Sequence, residues 1–139
     1  ITCGSSACST MAPPSPSVVL FVDDVPRMTA FYAELAQMTV LHQEPSHAVL
    51  AIDGLEVVIH ALPAYGGDDH ATPTTVAVRE DSYWKLCLPV VSILHAREVA
   101  AALGGAIRSA EHEWVARGFR ACDGHDPEGN VLQVRETAS

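Results

Sequence analysis

The chain has 139 residues, of which 48% are hydrophobic and 18% are charged, and its 17 acidic side chains outnumber 8 basic ones. This length and composition fit one globular domain and exclude a disordered chain, and apolar runs such as Val18–Val22 are too short to cross a membrane. The net charge of −9 argues against nucleic-acid binding, because displacing counterions from a phosphate backbone requires Lys and Arg.

Residues 1–16 are small, polar and rich in Pro, which predicts a flexible tail. They lack the basic start and apolar centre of a secretion signal. Because chains normally begin with Met, we expect the native start at Met11 and an upstream origin for Ile1–Thr10. The four Cys lack the Cys-x-x-Cys spacing of zinc and redox sites, so the simplest expectation is a protein of the reducing cytoplasm.

Residues 17–62 predict a first βαβββ unit. Val18–Val22 is a β-branched strand, and Asp23 and Asp24 after it are candidate N-caps of a helix. The apolar side of that helix recurs at i, i+3, i+4 and i+7, on Met28, Phe31, Tyr32 and Leu35. The three strands that follow, with an Asp53-Gly54 hairpin turn before the last, are Thr39–Glu44, Ala48–Ile52 and Glu56–Ala61.

Residues 86–136 repeat this order after a predicted linker over 63–85. Leu86–Val91 is a strand, and Ser92 can cap a helix that ends at Gly104-Gly105. Three more strands are predicted, at Ala106–Glu111, Gly118–Asp123 and Val131–Arg135. The sequence therefore predicts an α+β fold whose two βαβββ modules form a curved eight-stranded mixed sheet. Because one module alone leaves one sheet face bare, we expect the two modules to enclose a cup, where a ligand binds.

Three segments resemble the vicinal-oxygen-chelate superfamily, which contains glyoxalase I, extradiol dioxygenases, and fosfomycin- and bleomycin-resistance proteins. They are VVLFVDDVPRMTAFYAEL near the start, LEVVIHAL at the end of the first module and ARGFRACDGHDPEGNVLQVRE at the end of the second. The resemblance implies a single domain of this type over residues 17–136. It does not imply one function, because the same scaffold carries isomerases, transferases, dioxygenases and non-catalytic drug binders.

Metal-dependent members of the superfamily place one ligand on the first and last strand of each module. The resemblance carries these positions over to Ser17, His60, Leu86 and Gln133. Only His60 is a strong ligand, and Leu86 cannot bind a cation. We therefore expect these positions to be vestigial and the protein to need no cofactor, with a divalent metal such as Ni, Zn, Fe or Mn as the alternative.

Alternation along the strands predicts which other side chains enter the cup. If His60 and Gln133 point inward, then Glu56, Arg135, Phe21 and Leu88 do so too. Trp114 is a candidate for stacking against the ligand. His60 is the candidate catalytic base, because imidazole titrates near neutrality; a hydrogen-bonded histidine without a catalytic role is the alternative. The remaining histidines, including His42 and His47, show no paired spacing that suggests a second metal site.

These observations favour a metal-free protein that binds a small organic ligand as a homodimer, as antibiotic-sequestering relatives do. The acidic balance permits attraction of a cationic drug. The competing hypothesis is a lyase, isomerase or dioxygenase that uses a divalent metal with His60 and Gln133. A third possibility is a regulatory or housekeeping protein whose cup holds a metabolite, so whether the protein is an enzyme stays open.

Overall fold

The computed structural model of the protein describes residues 13–63 and 77–138. The first module contains β1 (Ser17–Val22), α1 (Val25–Leu35), β2 (Thr39–Glu44), β3 (His47–Ile52) and β4 (Leu55–Ala61). The second contains β5 (Leu86–Pro89), α2 (Ile93–Ala102), β6 (Ala106–Ile107), β7 (Trp114–Val115), β8 (Phe119–His125) and β9 (Val131–Thr137). Residues 1–12 of the predicted tail and residues 64–76 of the predicted linker lie outside this description.

The first sheet has the strand order β1-β4-β3-β2. β1 runs parallel to β4, and the other pairs are antiparallel, so the helix α1 forms the crossover between β1 and the rest of the sheet. The Asp24 side chain caps α1 by accepting a hydrogen bond from the Arg27 N–H at 3.1 Å. The predicted α+β class and the βαβββ order of this module are confirmed.

The second sheet repeats this plan with the order β5-β9-β8-β6, and β7 also pairs with β8. The predicted strand Ala106–Glu111 is wrong beyond Ile107, because a 3₁₀ turn (Ala110–His112) separates β6 from β7. The Arg108 N–H still donates to the Asp123 carbonyl of β8 at 2.9 Å, but the Arg108 carbonyl accepts from Arg97 Nε at 2.8 Å rather than from a strand. The second sheet therefore has five strands rather than four.

Both modules contribute to one apolar core on the helix side of the sheets. Met28 and Phe31 of α1 are fully buried in the same cluster as Leu88 and Val134 of the second sheet. Pro89, which cannot donate to a ladder, is tolerated because β5 is an edge strand. In residues 13–63 and 77–138, no helix is long and apolar enough to span a membrane.

The two modules are also joined by a polar junction at the start of α1. The Glu128 carboxylate accepts hydrogen bonds from the backbone N–H groups of Asp23 and Asp24, at 2.8–3.0 Å. The Tyr32 hydroxyl donates to Asp126 Oδ2 at 2.7 Å, and Asp126 is fully buried. Burial, followed by the Asp126 carboxylate, holds the pKa of Tyr32 well above its ordinary value of 10.0. The β8–β9 turn of the second module thus fixes the helix of the first.

Candidate functional site

Each sheet has one face that packs under a helix and one face that does not, and we call the latter its open face. Alternation along the strands, together with burial, assigns the side chains to these faces. The first open face carries Ser17, Val19, Phe21, Glu56, Val58, His60, His47, Val49 and Ala51. The second carries Cys87, Gln133, Arg135, Phe119, Ala121 and Asp123. A ligand can reach the sheets from these open faces, whereas the helices cover the other faces.

An aromatic row crosses one end of the first open face. Phe21, His60 and His47 are direct neighbours on three adjacent strands. The rings of Phe21 and His60 meet edge to face at 5.7 Å, and His60 stacks on His47 at 5.9 Å. His60 Nδ1 lies 2.8 Å from the Ala61 carbonyl, which can only accept, so Nδ1 carries the proton. His60 Nε2 is therefore not used in this contact and lies on an exposed ring.

Glu56 and Ser17 lie at the other end of the same face. They are direct neighbours on β4 and β1, whereas His60 is four residues further along β4. At about 3.3 Å per residue, this separates His60 from the Ser17–Glu56 pair by roughly 13 Å along the strand. Ser17 and His60 are consequently too far apart to share one ion, and Glu56 does not lie beside His60.

A chain of polar contacts runs across the second open face. Lys85 Nζ lies 2.9 Å from Asp123 Oδ1, and Gln133 Nε2 donates to the same oxygen at 3.1 Å. Arg135 Nε then donates to the Gln133 amide oxygen at 2.6 Å. The guanidinium of Arg135 also stacks over the Phe119 ring, 4.4 Å from its centroid. These contacts fix the polar side chains of this face in one arrangement before any ligand binds.

Two leucines that the sequence placed at the site lie on the helix side instead. Leu88 is fully buried in the core, so the expectation that it enters the cup is wrong. Leu86 has the same orientation as Leu88 on β5 and packs against the core from its partly buried position. Trp114 lies on β7 beside Ala121 and is 40% exposed, which leaves its ring accessible.

The comparisons with known proteins decide the family. The sequence profile of the glyoxalase-like domain family matches residues 17–135, which is most of the chain. The chain belongs to the glyoxalase-like domain family. Its α+β fold and its place in the vicinal-oxygen-chelate superfamily, both predicted from the sequence, are confirmed. A search of curated protein sequences gives no significant match.

Solved structures of the same fold include a fosfomycin resistance protein. A glyoxalase/bleomycin resistance protein/dioxygenase family enzyme from Burkholderia phytofirmans is 18% identical, with a TM-score of 0.65 over 91% of this chain and 100% of its own. The fosfomycin resistance protein FosX from Listeria monocytogenes is 16% identical, with a TM-score of 0.60 over 92% and 96%. A FosX variant complexed with Mn(II) and 1S,2S-dihydroxypropylphosphonic acid is 17% identical, with a TM-score of 0.58 over 89% of each chain.

The four positions that the resemblance assigns to a metal, Ser17, His60, Leu86 and Gln133, do not fit an ion in this glyoxalase-like chain. Ser17 and His60 lie at opposite ends of β1 and β4, and Leu86 has no donor atom. The fourth position, Gln133, is only 7% exposed, and its amide already bonds to Asp123 and Arg135. No set of donors therefore converges at these four residues.

Two groups of side chains lie close together although no sequence pattern predicts it. His42, Glu44 and His47 come together on the β2–β3 hairpin, although their spacing gave no signal of a metal site. The Tyr32–Asp126 pair joins residues that are 94 positions apart. Tyr32 fits the apolar stripe of α1, and Asp126 lies in the turn between β8 and β9. Only its burial and its several hydrogen bonds identify Asp126 as a structural carboxylate.

Proposed function

We propose that this glyoxalase-like protein binds a small organic molecule between open faces, with no metal ion at the four superfamily positions. The observation that carries the proposal is the polar chain from Lys85 through Asp123 and Gln133 to Arg135, which lies beside the Phe119 ring. Ligand sites combine a mostly apolar surface with a few polar groups held in place, and the second open face supplies such polar groups beside the Phe119 ring.

The first open face supplies the apolar partner surface. Phe21 is 51% exposed and Val19 is 44% exposed, and both lie next to His60 or Val58 on the same face. An exposed apolar surface of this kind favours a second copy of the chain or a ligand as its cover. We propose a homodimer in which a small molecule is enclosed by such surfaces. The free thiols Cys87 and Cys122 agree with a reducing, cytoplasmic location.

The ligand class we propose is a planar aromatic antibiotic, held by sequestration rather than by chemistry. Phe21, His60 and Trp114 offer exposed rings that can stack on an aromatic ligand. The net charge of −9 attracts a cationic drug from a distance. The similarity to FosX makes a phosphonate the natural comparison compound, and Arg135 is the group on the second open face that suits an anion.

An enzyme is the second candidate, and the exposed Nε2 of His60 favours it. The His60 ring lies beside Phe21 with Nδ1 bonded to the Ala61 carbonyl, so Nε2 is the nitrogen placed to exchange a proton with a bound substrate, as a general base must. A metal-dependent lyase, isomerase or dioxygenase that uses His60 and Gln133 fits less well, because the Gln133 oxygen already accepts from Arg135 at 2.6 Å.

Ligand-dependent stabilisation of the full chain tests the proposal. Aromatic cationic antibiotics and fosfomycin are screened by thermal shift, where a ligand at 100 times its Kd adds about 2.7 kcal/mol to the free energy of unfolding. Phe21→Ala and Gln133→Leu should each abolish the shift, whereas Leu94→Ala, which removes an exposed apolar side chain of α2, should keep it. A shift that survives both open-face variants would place the ligand elsewhere and end this proposal.

Elemental analysis of protein purified without chelator separates the enzyme alternative. A stoichiometric Ni, Zn, Fe or Mn ion that disappears in His60→Ala and Gln133→Leu would support the metal-dependent enzyme. An ion that remains in both variants cannot be held at the superfamily positions.

A further inference from the structure

A cluster of two imidazoles and a carboxylate lies on the β2–β3 hairpin. His42 Nε2 is 2.6 Å from Glu44 Oε2, and His47 Nδ1 is 3.7 Å from Glu44 Oε1. One ligand atom from each of the three lies within 4.8 Å of the others. Across residues 13–63 and 77–138, no other group of three His, Cys, Asp or Glu side chains is this close.

An irregularity in β2 brings the three side chains to one face. Val40 pairs with Leu50 but His42 pairs with Val49, so one extra residue is inserted into β2 at this point. Such a bulge inverts the alternation, and it turns His42 and Glu44 toward the first open face, where His47 lies. Without the bulge, His42 and Glu44 would point to the helix side. The bulge therefore has a clear effect, which is to assemble the cluster.

The donor set and its spacing suit a zinc ion. Zn²⁺ is bound by His nitrogen and carboxylate oxygen at about 2.0–2.2 Å, and ligands at tetrahedral angles are then roughly 3.3 Å apart. The distance from His47 Nδ1 to Glu44 Oε1 is already close to this value. The distance from His42 Nε2 to Glu44 Oε2 must open by under 1 Å. The side chains of His42 and Glu44 are about half exposed, which permits this adjustment and leaves a fourth position open to water.

His60 lies beside the cluster and is not part of it. Its ring stacks on His47, and its Nδ1 is committed to the Ala61 carbonyl. The ring of His42 in turn lies 5.0 Å from that of His47. The stacking holds the imidazole of His47 in one orientation, so His60 is a positioning residue for this site.

We propose that the chain binds one Zn²⁺ ion between His42, Glu44 and His47, with water as the fourth ligand. This site is separate from the four superfamily positions Ser17, His60, Leu86 and Gln133, none of which contributes a ligand. It also goes beyond the proposed small-molecule function, because the three ligands hold the ion whether or not an organic molecule is bound.

Titration of the full-length, chelator-treated protein with ZnCl₂ in a calorimeter tests the site. We expect one ion per chain, and His42→Ala, Glu44→Gln and His47→Ala should each raise the Kd at least about tenfold. His95→Ala is the matched control, because His95 lies 3.9 Å from Glu98 on α2 and the described residues place no third ligand beside this pair. That variant should bind zinc as the original chain does. Co²⁺ as a probe should give the visible absorption of a four-coordinate ion in the original chain and lose it in His47→Ala.

The three ligand variants remove exposed or half-exposed side chains, and thermal melts in the presence of chelator will show that they fold. Zinc binding that is unchanged in all three variants, or a stoichiometric ion lost only in His60→Ala, would overturn the proposal. The absence of binding at micromolar zinc would overturn it too. The assay contains no organic ligand, so its result is independent of whether an antibiotic binds to the open faces.

Discussion

The two open faces belong to sheets of similar order, to which the second module adds β7, but their side chains differ in how they are bonded. On the second face, each polar group is already bonded to another, from Lys85 to Asp123 and from Gln133 to Arg135. On the first face, His60 bonds only to the neighbouring backbone through Nδ1, and Phe21 is half exposed beside it. The second face is thus fixed in advance, whereas Phe21 and the Nε2 atom of His60 on the first face can meet a ligand or another chain.

This difference separates what the two modules share from what they do not share. Strand pairing and helix packing depend on the apolar side of each sheet, which both modules keep in one shared core. The open side carries no such constraint, because its residues contribute little to the core. The chemistry of the two open faces has therefore diverged, and the largest effects on stability should come from the helix side.

Leu88→Ala should produce the largest loss of stability, and Phe21→Ala should produce a small one. Leu88 is fully buried, so its truncation costs about 3 kcal/mol of the free energy of unfolding through lost contacts and a cavity. Phe21 is half exposed and should cost about 1 kcal/mol or less. Urea denaturation of both variants gives the comparison. Equal losses would mean that the assignment of the two faces is wrong.

The strands and helices could be predicted because the spacing of apolar residues along a short segment identifies each element. The side of β5 that faces the core could not be predicted in this way. Leu86, Leu88 and Val90 are apolar on one side of that strand, and Cys87 and Pro89 on the other carry no charge, so no polar residue marks its exposed side. The helix caps supply a better signal. Asp24 and Ser92 cap equivalent helices, and Leu20 and Leu88 each lie four residues before their cap. Both leucines pack against the shared core.

The histidine cluster shows a second limit of sequence patterns. A bulge adds a single residue and inverts every side chain after it, yet nothing in Thr39–Glu44 marks where the insertion falls. The junction between modules has the same character, because Tyr32 and Asp126 are far apart in sequence and meet only in the folded chain. Local periodicity cannot predict either contact.

The Tyr32–Asp126 hydrogen bond at the junction of the two modules should make the free energy of unfolding fall at alkaline pH. The pKa of Tyr32 is raised, so the contribution of its neutral hydroxyl is complete below pH 10 and is lost as the pH rises above it. Tyr32→Phe should therefore cost about 1–2 kcal/mol at pH 8 and less at pH 11. Tyr83→Phe, which removes a fully exposed phenol, serves as the control and should change neither value. Urea unfolding at the two pH values measures the difference; a constant cost for Tyr32→Phe would contradict the linkage.

Gln133→Leu should cost about 1 kcal/mol, because Arg135 and Asp123 each lose one hydrogen-bond partner on the second open face. Asp123 keeps Lys85, which limits the loss. Gln43→Leu changes an exposed glutamine of the first sheet and should stay within about 0.5 kcal/mol. If both variants unfold at the same urea concentration, the second face is not fixed by its contacts as we describe.

His60→Ala should have the smallest effect on stability, under about 0.5 kcal/mol, because the ring is exposed and bonds only to the Ala61 carbonyl. The Kd for zinc should rise in His60→Ala, but less than in His47→Ala. The His60 ring orients His47 by stacking and is not itself a ligand of the ion. Calorimetric titration of the two variants side by side measures this order. A loss of zinc as large as that of His47→Ala would make His60 a ligand, and the ion would then lie between β3 and β4 rather than on the β2–β3 hairpin.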